Sequence, residues 1–554
     1  MTKLDRREFI GAALAAAGGL ALGGPRPARA AAGGIEILVN EPVGVIAPEI
    51  YGHFVEHLGA VVYDGIWVGE GSRVPNTGGI RRSIIDAMKK IKAPVIRYPG
   101  GCFADSYDWR DGVGPRSKRP LKTNFWYGAA NKGVPENSPS RYESNQFGTN
   151  EFNAFCRLTG AKPYLAANLR GMTAQDLNNW LEYCNSPAGS TTLAVQRATG
   201  SAGSKEPFKV EYWGVGNESW GCGGELLPDE YAQEFRRFTA VYNGYGVPVK
   251  FIGAGASSDD LNWTRGFFSK MREKGENSFR RVYAWGIHHY SWNAAGGRTS
   301  DWNAAKGDAL QFGTEQYYEI LREAGKLDAA IAQHWAVMGE YDRAHRAKIA
   351  VDEWGAWHRP GSEIKPEHTL GQQNTMRDAL VAGITFDTFN RNAEKVVMGN
   401  VAQLVNCLQS LFLADGDKFI TTPTYHVFEM FVPHMGAQAV RAEFDAPKIK
   451  YDRNGRDAEF SGLAGSASVR GKQATLTVTN PHMTEPLETA VKLRGAKIAS
   501  ASARVLSARD VHDHNTFAAP DAVTPRTETA AVKNGELVFR FAPASVTRLD
   551  LVME

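Results

Sequence analysis

The chain has little cysteine, no long apolar run beyond its leader, no internal repeat and no bulk excess of charge. Five cysteines stand among 554 residues, at Cys102, Cys156, Cys184, Cys222 and Cys407. Their number is odd, their spacing wide, and no two are separated by two residues, so neither a zinc ribbon nor a disulfide framework is expected. The 63 Lys and Arg nearly balance the 60 Asp and Glu, leaving +3. That surplus lies in residues 1–30, where Lys3, Arg6, Arg7, Arg26 and Arg29 outnumber Asp5 and Glu8. The remainder is close to neutral, which speaks against nucleic acid or an anionic membrane as a partner. No later segment is apolar enough to span a bilayer.

Residues 1–30 stand apart in character. Arg6-Arg7-Glu8-Phe9-Ile10 opens an Ala- and Gly-rich apolar stretch that runs to Gly24, and Ala28-Arg29-Ala30 offers a small-residue cleavage site. These three parts read as a bacterial twin-arginine export signal. The expectation is a periplasmic or secreted protein with no membrane contact after signal removal. Folding before export would take place in a reducing cytosol, which argues for thiols at the cysteines.

From 46 to 421 one rhythm recurs: a short β-like run, a loop, then a helix with apolar residues three or four apart. Ile80, Ile84, Met88 and Ile91 form such a stripe before Pro94-Val95-Ile96-Arg97-Tyr98. Tyr231, Phe235, Phe238 and Tyr242 form another before Phe251-Ile252-Gly253-Ala254. Eight candidate strands end near Glu56, Gly100, Asn168, Glu218, Gly255, Tyr290, Glu353 and Gln403. That count predicts a (β/α)8 TIM barrel rather than an open sheet, since no GxGxxG opens the first helix. After 421 the period changes to two. Ala474, Leu476 and Val478 alternate with threonines, and Leu537, Phe539 and Phe541 follow the hairpin signal Asn534-Gly535. A C-terminal antiparallel β-sandwich, jelly-roll-like, is expected over 422–554, with 31–45 adding a strand.

Two glutamates close short apolar runs beside an aromatic: Glu218 in Gly216-Asn217-Glu218-Ser219-Trp220 and Glu353 in Val351-Asp352-Glu353-Trp354. Strand ends of this kind deliver side chains to the C-terminal rim, where such barrels hold their active sites. Paired carboxylates are the minimal machinery for breaking a glycosidic bond.

Longer segments sharpen this. Arg97-Tyr98-Pro99-Gly100-Gly101-Cys102-Phe103 leads to Asp108-Trp109-Arg110-Asp111-Gly112-Val113-Gly114-Pro115; with Gly216-Asn217-Glu218 and Val351-Asp352-Glu353-Trp354 these run through the barrel in order. Tyr51–His57, His288-His289-Tyr290 and Ala402–Asn406 add weaker matches. In these segments the chain resembles the α-L-arabinofuranosidases of glycoside hydrolase family 51. The resemblance implies a retaining exo-glycosidase that removes terminal α-L-arabinofuranosyl residues from plant oligosaccharides and polysaccharides, without a cofactor or metal. It implies Glu218 as acid/base and Glu353 as nucleophile. Arg97 and Tyr290 would hold Glu353, because a buried carboxylate needs charged or hydrogen-bonding partners. Glu56, Asn217, Tyr290 and Gln403 would bind sugar hydroxyls, and Trp357 a sugar face. Cys102 stands where many members have Asn, and a thiol is a weak donor. A homo-oligomer is compatible with the sequence.

Two other readings compete. An endo-acting glucanase or xylanase could use the same fold, because loop geometry decides between pocket and cleft. His53-x-x-Glu56-His57 also matches a zinc-peptidase spacing. Gly52 and Gly59 flank it beside a β-like run, however, and on a strand the two histidines would stand about 13 Å apart.

Overall fold

The computed structural model describes residues 33–127, 138, 141–293 and 304–554. The export signal expected over 1–30 lies outside the described residues.

Eight parallel strands close into a barrel: Gly52–Phe54, Val95–Tyr98, Lys162–Ala167, Tyr212–Val215, Lys250–Ser257, Ala284–Ser291, Lys348–Ala356 and Val396–Val401. They follow one another around the ring in chain order, and the eighth pairs with the first. Each ends within three residues of its expected position. The strand period of two sorts their side chains. In the second strand Val95 joins a small apolar layer inside the barrel with Tyr164, Tyr212, Ile252, Ala284, Ala350 and Met398. Ile96 and Tyr98 point outward to the helices, where Tyr98 stacks on Phe152 at 4.5 Å. Arg97 points inward above the apolar layer, so the barrel core becomes polar toward its C-terminal rim.

The helices form for local reasons. Pro228–Phe238 starts with proline in its first turn, and the Glu230 carboxylate accepts from the Leu227 amide at 2.8 Å. Acidic Asp229 and Glu230 open it and Arg236 and Arg237 close it, in line with the helix dipole. Tyr231, Phe235 and Phe238 are its buried face, whereas Tyr242 lies beyond its end and is exposed.

Nine strands after residue 421 join Gly33–Val45 in one ten-stranded sheet, while Ile449–Asp452 and Asp457–Phe460 pair apart from it. Its core includes Ile35, Ile37, Leu476, Val478, Val505, Leu537, Phe539, Phe541 and Leu549, so strands from both ends of the sheet share one apolar interior. Asn534 and Gly535 both adopt positive φ, 55° and 80°, as a tight two-residue hairpin requires. The sheet is antiparallel except at one place. Gly33–Val45 runs antiparallel to Gln438–Asp445 but parallel to Leu487–Arg494, and so joins two groups of strands that would otherwise form separate sheets. The segment after 421 opens with a helix, Pro423–Phe431, whose Phe428 and Phe431 pack on Phe386.

Helix Met376–Arg391 is buried from Met376 through Asn390, between barrel and sheet. Near its C-terminal end the Asp387 carboxylate accepts hydroxyl hydrogen bonds from Ser466 at 2.6 Å and Thr477 at 2.5 Å. Burial raises its pKa to about 7, against the lowering effect of those two hydroxyls and Arg391. A carboxyl group raised in the folded state favours folding while protonated, and that contribution is lost as pH rises toward 7. Asp387→Asn should therefore lose less stability between pH 4 and pH 8 than the parent, with a Tm at pH 8 higher by a few degrees, of order 1 kcal/mol for a large domain. Equal pH dependence of Tm in the two proteins would remove Asp387 from this effect.

Candidate active site

The fourth strand leads into Gly216, Asn217 and Glu218. Gly216 has φ 77°, and Glu218 itself has φ 39°, a left-handed backbone rarely adopted by a side-chain-bearing residue. Buried Asp105 holds this turn by accepting the Asn217 amide at 2.8 Å, together with those of Leu169 at 2.7 Å and Arg170 at 3.2 Å. Its pKa is raised to about 6 by burial, opposed by the three amides.

The seventh strand carries Asp352 and Glu353. Neighbours on a regular strand face opposite ways, yet both reach the site. The pairing register slips between Val351 and Trp354 on one side, and between Gly286 and His288 on the other. Such irregularities re-aim side chains. Trp354 then points outward and packs against Phe386.

Arg97 joins the parts. Its Nη1 donates to Glu353 Oε1 at 2.6 Å, and its Nη2 to Asn217 Oδ1 at 2.6 Å. It lies over the Phe54 ring at 4.6 Å. Burial alone would lower its pKa, but Glu353 and Asp352 outweigh that and raise it, so the guanidinium stays charged. Tyr290 donates to Glu353 Oε2 at 2.7 Å. Both Glu353 oxygens are thus fixed. Gly101 closes the floor: a Cβ there would stand 3.0 Å from Glu353 Oε1 and 3.5 Å from Asn217 Nδ2.

His288 is a site residue that the sequence reading passed over. Its Nδ1 lies 2.8 Å from Glu218 Oε1 and 3.5 Å from Glu353 Oε2, and its Nε2 3.3 Å from Asp352 Oδ1. Burial would lower its pKa, but Glu353, Asp352 and Glu218 together raise it to about 10. It is an imidazolium between three carboxylates. Period-two alternation from Tyr290 was the available signal, since 288 and 290 share a strand face.

Glu56 accepts the amides of Gly101 at 3.1 Å and Phe103 at 3.0 Å through Oε1, and the Gln403 side chain at 2.9 Å through Oε2. Its pKa is raised to about 7, chiefly by burial. Half-buried Trp357 packs edge-on against Tyr290 at 5.0 Å, with the Lys306 ammonium 4.0 Å from its ring centre. Tyr98 and Trp109 are core residues, the latter stacked on Trp180 at 6.1 Å.

One expectation about the site needs correction. The cysteines are not all thiols: Cys102 and Cys222 form a disulfide, while Cys156, Cys184 and Cys407 are free and buried. Cys102 follows the second strand and Cys222 the fourth, and their loops meet with Cα atoms 5.5 Å apart. A disulfide sulfur has no proton, so Cys102 cannot donate one to a sugar hydroxyl. The Cys222 sulfur lies 3.7 Å from Glu218 Oε2. The zinc-peptidase reading fails on geometry. Buried His53 lies on a strand, stacks on Phe428 at 5.0 Å, and has its pKa lowered to about 3 by burial. His57 instead pairs with Glu143 at 2.7 Å and Tyr98 at 2.9 Å.

Known proteins fit this geometry. Residues 87–307 match the family described as "Alpha-L-arabinofuranosidase 1 domain", and residues 352–545 match "Alpha-L-arabinofuranosidase C-terminal domain". The "Intracellular exo-alpha-L-arabinofuranosidase" of Bacteroides ovatus is 33% identical over 93% of this chain and 95% of its own length. The crystal structure of the GH51 arabinofuranosidase from Xanthomonas axonopodis pv. citri superposes with a TM-score of 0.85 at 33% identity, covering 94% of this chain and all of that one. The arabinose complex of the Thermotoga maritima enzyme gives 0.78 at 28% identity, over 94% and 100%. The Bacteroides relative overturns the expectation of a periplasmic or secreted protein: an alignment of that length joins this chain to an enzyme named as intracellular. With both domain models, a relative above 30% identity along nearly its whole length and the same two-part fold, the chain belongs to the α-L-arabinofuranosidases of glycoside hydrolase family 51.

Proposed function

We propose that the protein removes terminal non-reducing α-L-arabinofuranosyl residues from arabinose-containing plant oligosaccharides and polysaccharides, with retention of configuration. The observation that carries this reading is the carboxylate spacing. Oxygens of Glu218 and Glu353, with a ring nitrogen of His288, all lie within 4.8 Å of one another. Retaining pairs stand about 5–5.5 Å apart, whereas inverting pairs leave about 6.5–9.5 Å for a water.

Glu353 is the nucleophile. Arg97 and Tyr290 aim it and stabilise its charge. Glu218 gives a proton to the departing oxygen, then takes one from the water that releases the sugar. Charge supports this sequence. Arg97 and His288 are positive and Asp352 and Glu353 negative, so the cluster is neutral with a proton on Glu218. When Glu353 becomes an ester it loses its charge, and the cluster is neutral again once Glu218 has released its proton. His288 occupies Glu218 Oε1, which leaves Oε2 as the oxygen that exchanges it.

Groups for the sugar converge from several strand ends. Arg97 takes Asn217 Oδ1, so the Asn217 amide can face a hydroxyl, and Gln403 Oε1 has no protein partner. Glu56, Tyr290 and Trp357 complete the ring. The Bacteroides ovatus relative is named as exo-acting, which supports exo action over an endo-acting cleft.

Glu353→Ala should abolish turnover, and azide should restore it with inverted product. Glu218→Ala should lose about 10²–10⁴-fold on an oligosaccharide, whose leaving group needs a proton. On a dinitrophenyl arabinofuranoside it should instead give a burst of phenol and a slow steady state. Equal losses on both substrates without a burst would make Glu218 a binding residue. His288→Asn removes a cation beside the nucleophile, so the acidic limb of kcat/KM should move to higher pH, by about one unit or more. An unmoved limb would deny His288 its electrostatic part.

A further inference from the structure

A second cluster of ligating side chains lies apart from the carboxylate pair. Asp64, His368 and Asp415 each bring one nitrogen or oxygen within 4.8 Å of the others. They come from three rim loops. Asp64 follows the strand that leads to Glu56, His368 follows the strand of Glu353, and Asp415 ends the short strand Phe412–Asp415 after Gln403. His368 is only 3% exposed, and its Nδ1 is buried without a hydrogen-bond partner. A buried imidazole nitrogen with nothing to bond is costly in a finished structure, and here its ring borders two carboxylates.

The local charge is unbalanced. His368 feels Asp415, Asp64 and Glu367 against Lys365, and Arg81 feels Asp64, Asp415 and Asp417. Asp415 pairs with Lys365 and Asp64 stands 3.6 Å from Arg81, and Glu367 and Asp417 add further negative charge nearby, a setting that favours a cation. Lys365, on a half-exposed stem, pairs with Asp415 and can swing away. Arg81 stays fixed by the carbonyls of Gly65 at 2.8 Å and Asp64. The Gly416 amide orients the Asp64 carboxylate at 3.1 Å.

We propose that Asp64, His368 and Asp415 form a structural binding site for a divalent transition-metal ion of the zinc type. One imidazole with two carboxylates suits zinc better than calcium, which takes six to eight oxygens. Ligands about 2.1 Å from a tetrahedral zinc lie about 3.4 Å apart, so the three side chains need draw in by only about 1 Å, with water as the fourth ligand. The ion would pin the loops that stand behind Glu56 and Gln403. Among them Asn406 already bonds the carbonyls of Ala60 at 3.0 Å and Ala414 at 2.9 Å, so these loops are tied at one point, and the metal would add another.

The test uses the full-length protein, stripped with chelator and shown by circular dichroism to remain folded. Zinc titrated by calorimetry should bind, and excess zinc should raise Tm, since a ligand of the native state stabilises it. His368→Ala and Asp64→Asn should each weaken binding by more than about 100-fold and abolish the Tm shift, beyond the loss typical of indirect contacts. Asp64 has a 42% exposed side chain, so its variant should fold even if His368→Ala does not. His288→Ala separates this site from the active site and should retain zinc binding. The proposal is overturned if the parent binds no zinc, if calcium binds equally well, or if binding survives at Asp64→Asn and is lost in His288→Ala.

Discussion

A guanidinium buried inside a barrel is costly unless every neighbour compensates it, and Arg97 sets that demand here. It is 1% exposed and lies on the second strand above the apolar layer. Asp352, Glu353 and Asn217 answer it from two other strands, and Phe54 offers its ring face from a third. The charge fixes one Glu353 oxygen, takes the Asn217 Oδ1 so that its Nδ2 meets the Cys222 sulfur at 3.7 Å, and keeps Asp352 ionised despite its burial. Below, Tyr164 donates to Asp352 at 3.1 Å, which links the polar layer to the apolar one. Truncating Arg97 would leave Asp352 and Glu353 with the hydroxyls of Tyr164 and Tyr290 and the ring of His288, and without the guanidinium.

The rest of the rim is arranged around that charge. Asp105 holds the strained turn at Glu218 through backbone amides, and the Cys102–Cys222 disulfide ties the loop of the Gly-Gly pair to the loop after Glu218. Glu56 orders the Gly101 and Phe103 amides and is bonded in turn by Gln403. Glu218 and Glu353 are therefore carried by different strands, and both meet His288. On the outside, helix Met376–Arg391 transmits packing from the barrel to the ten-stranded sheet, with Asp387, Ser466 and Thr477 at the join.

Much of this was legible because it is local. Strands, helical stripes, the Asn534-Gly535 turn and the two glutamates beside tryptophans are patterns within a dozen residues. What escaped depends on where distant segments meet or on a broken period. Cys102 and Cys222 are 120 residues apart, and compartment reasoning pointed to thiols; proximity of two loops decided otherwise. Asp352 was hidden because a regular strand would turn it away from Glu353, and only the register slip brings both inward. His288 could have been reached from Tyr290 by counting two residues back, had the His-His-Tyr segment been read as a strand face. The parallel pairing of Gly33–Val45 with Leu487–Arg494 spans most of the chain and has no local signature.

We propose that Glu353 attacks the sugar directly, its carboxylate standing within 4.8 Å of that of Glu218 rather than at the wider spacing of an inverting pair. The stereochemistry of the first product measures this most directly. Proton NMR of an aryl α-L-arabinofuranoside, followed within the first turnovers before mutarotation, should show α-L-arabinofuranose forming first. Initial release of the β anomer would mean that water, not Glu353, attacks the anomeric carbon, and would contradict the account.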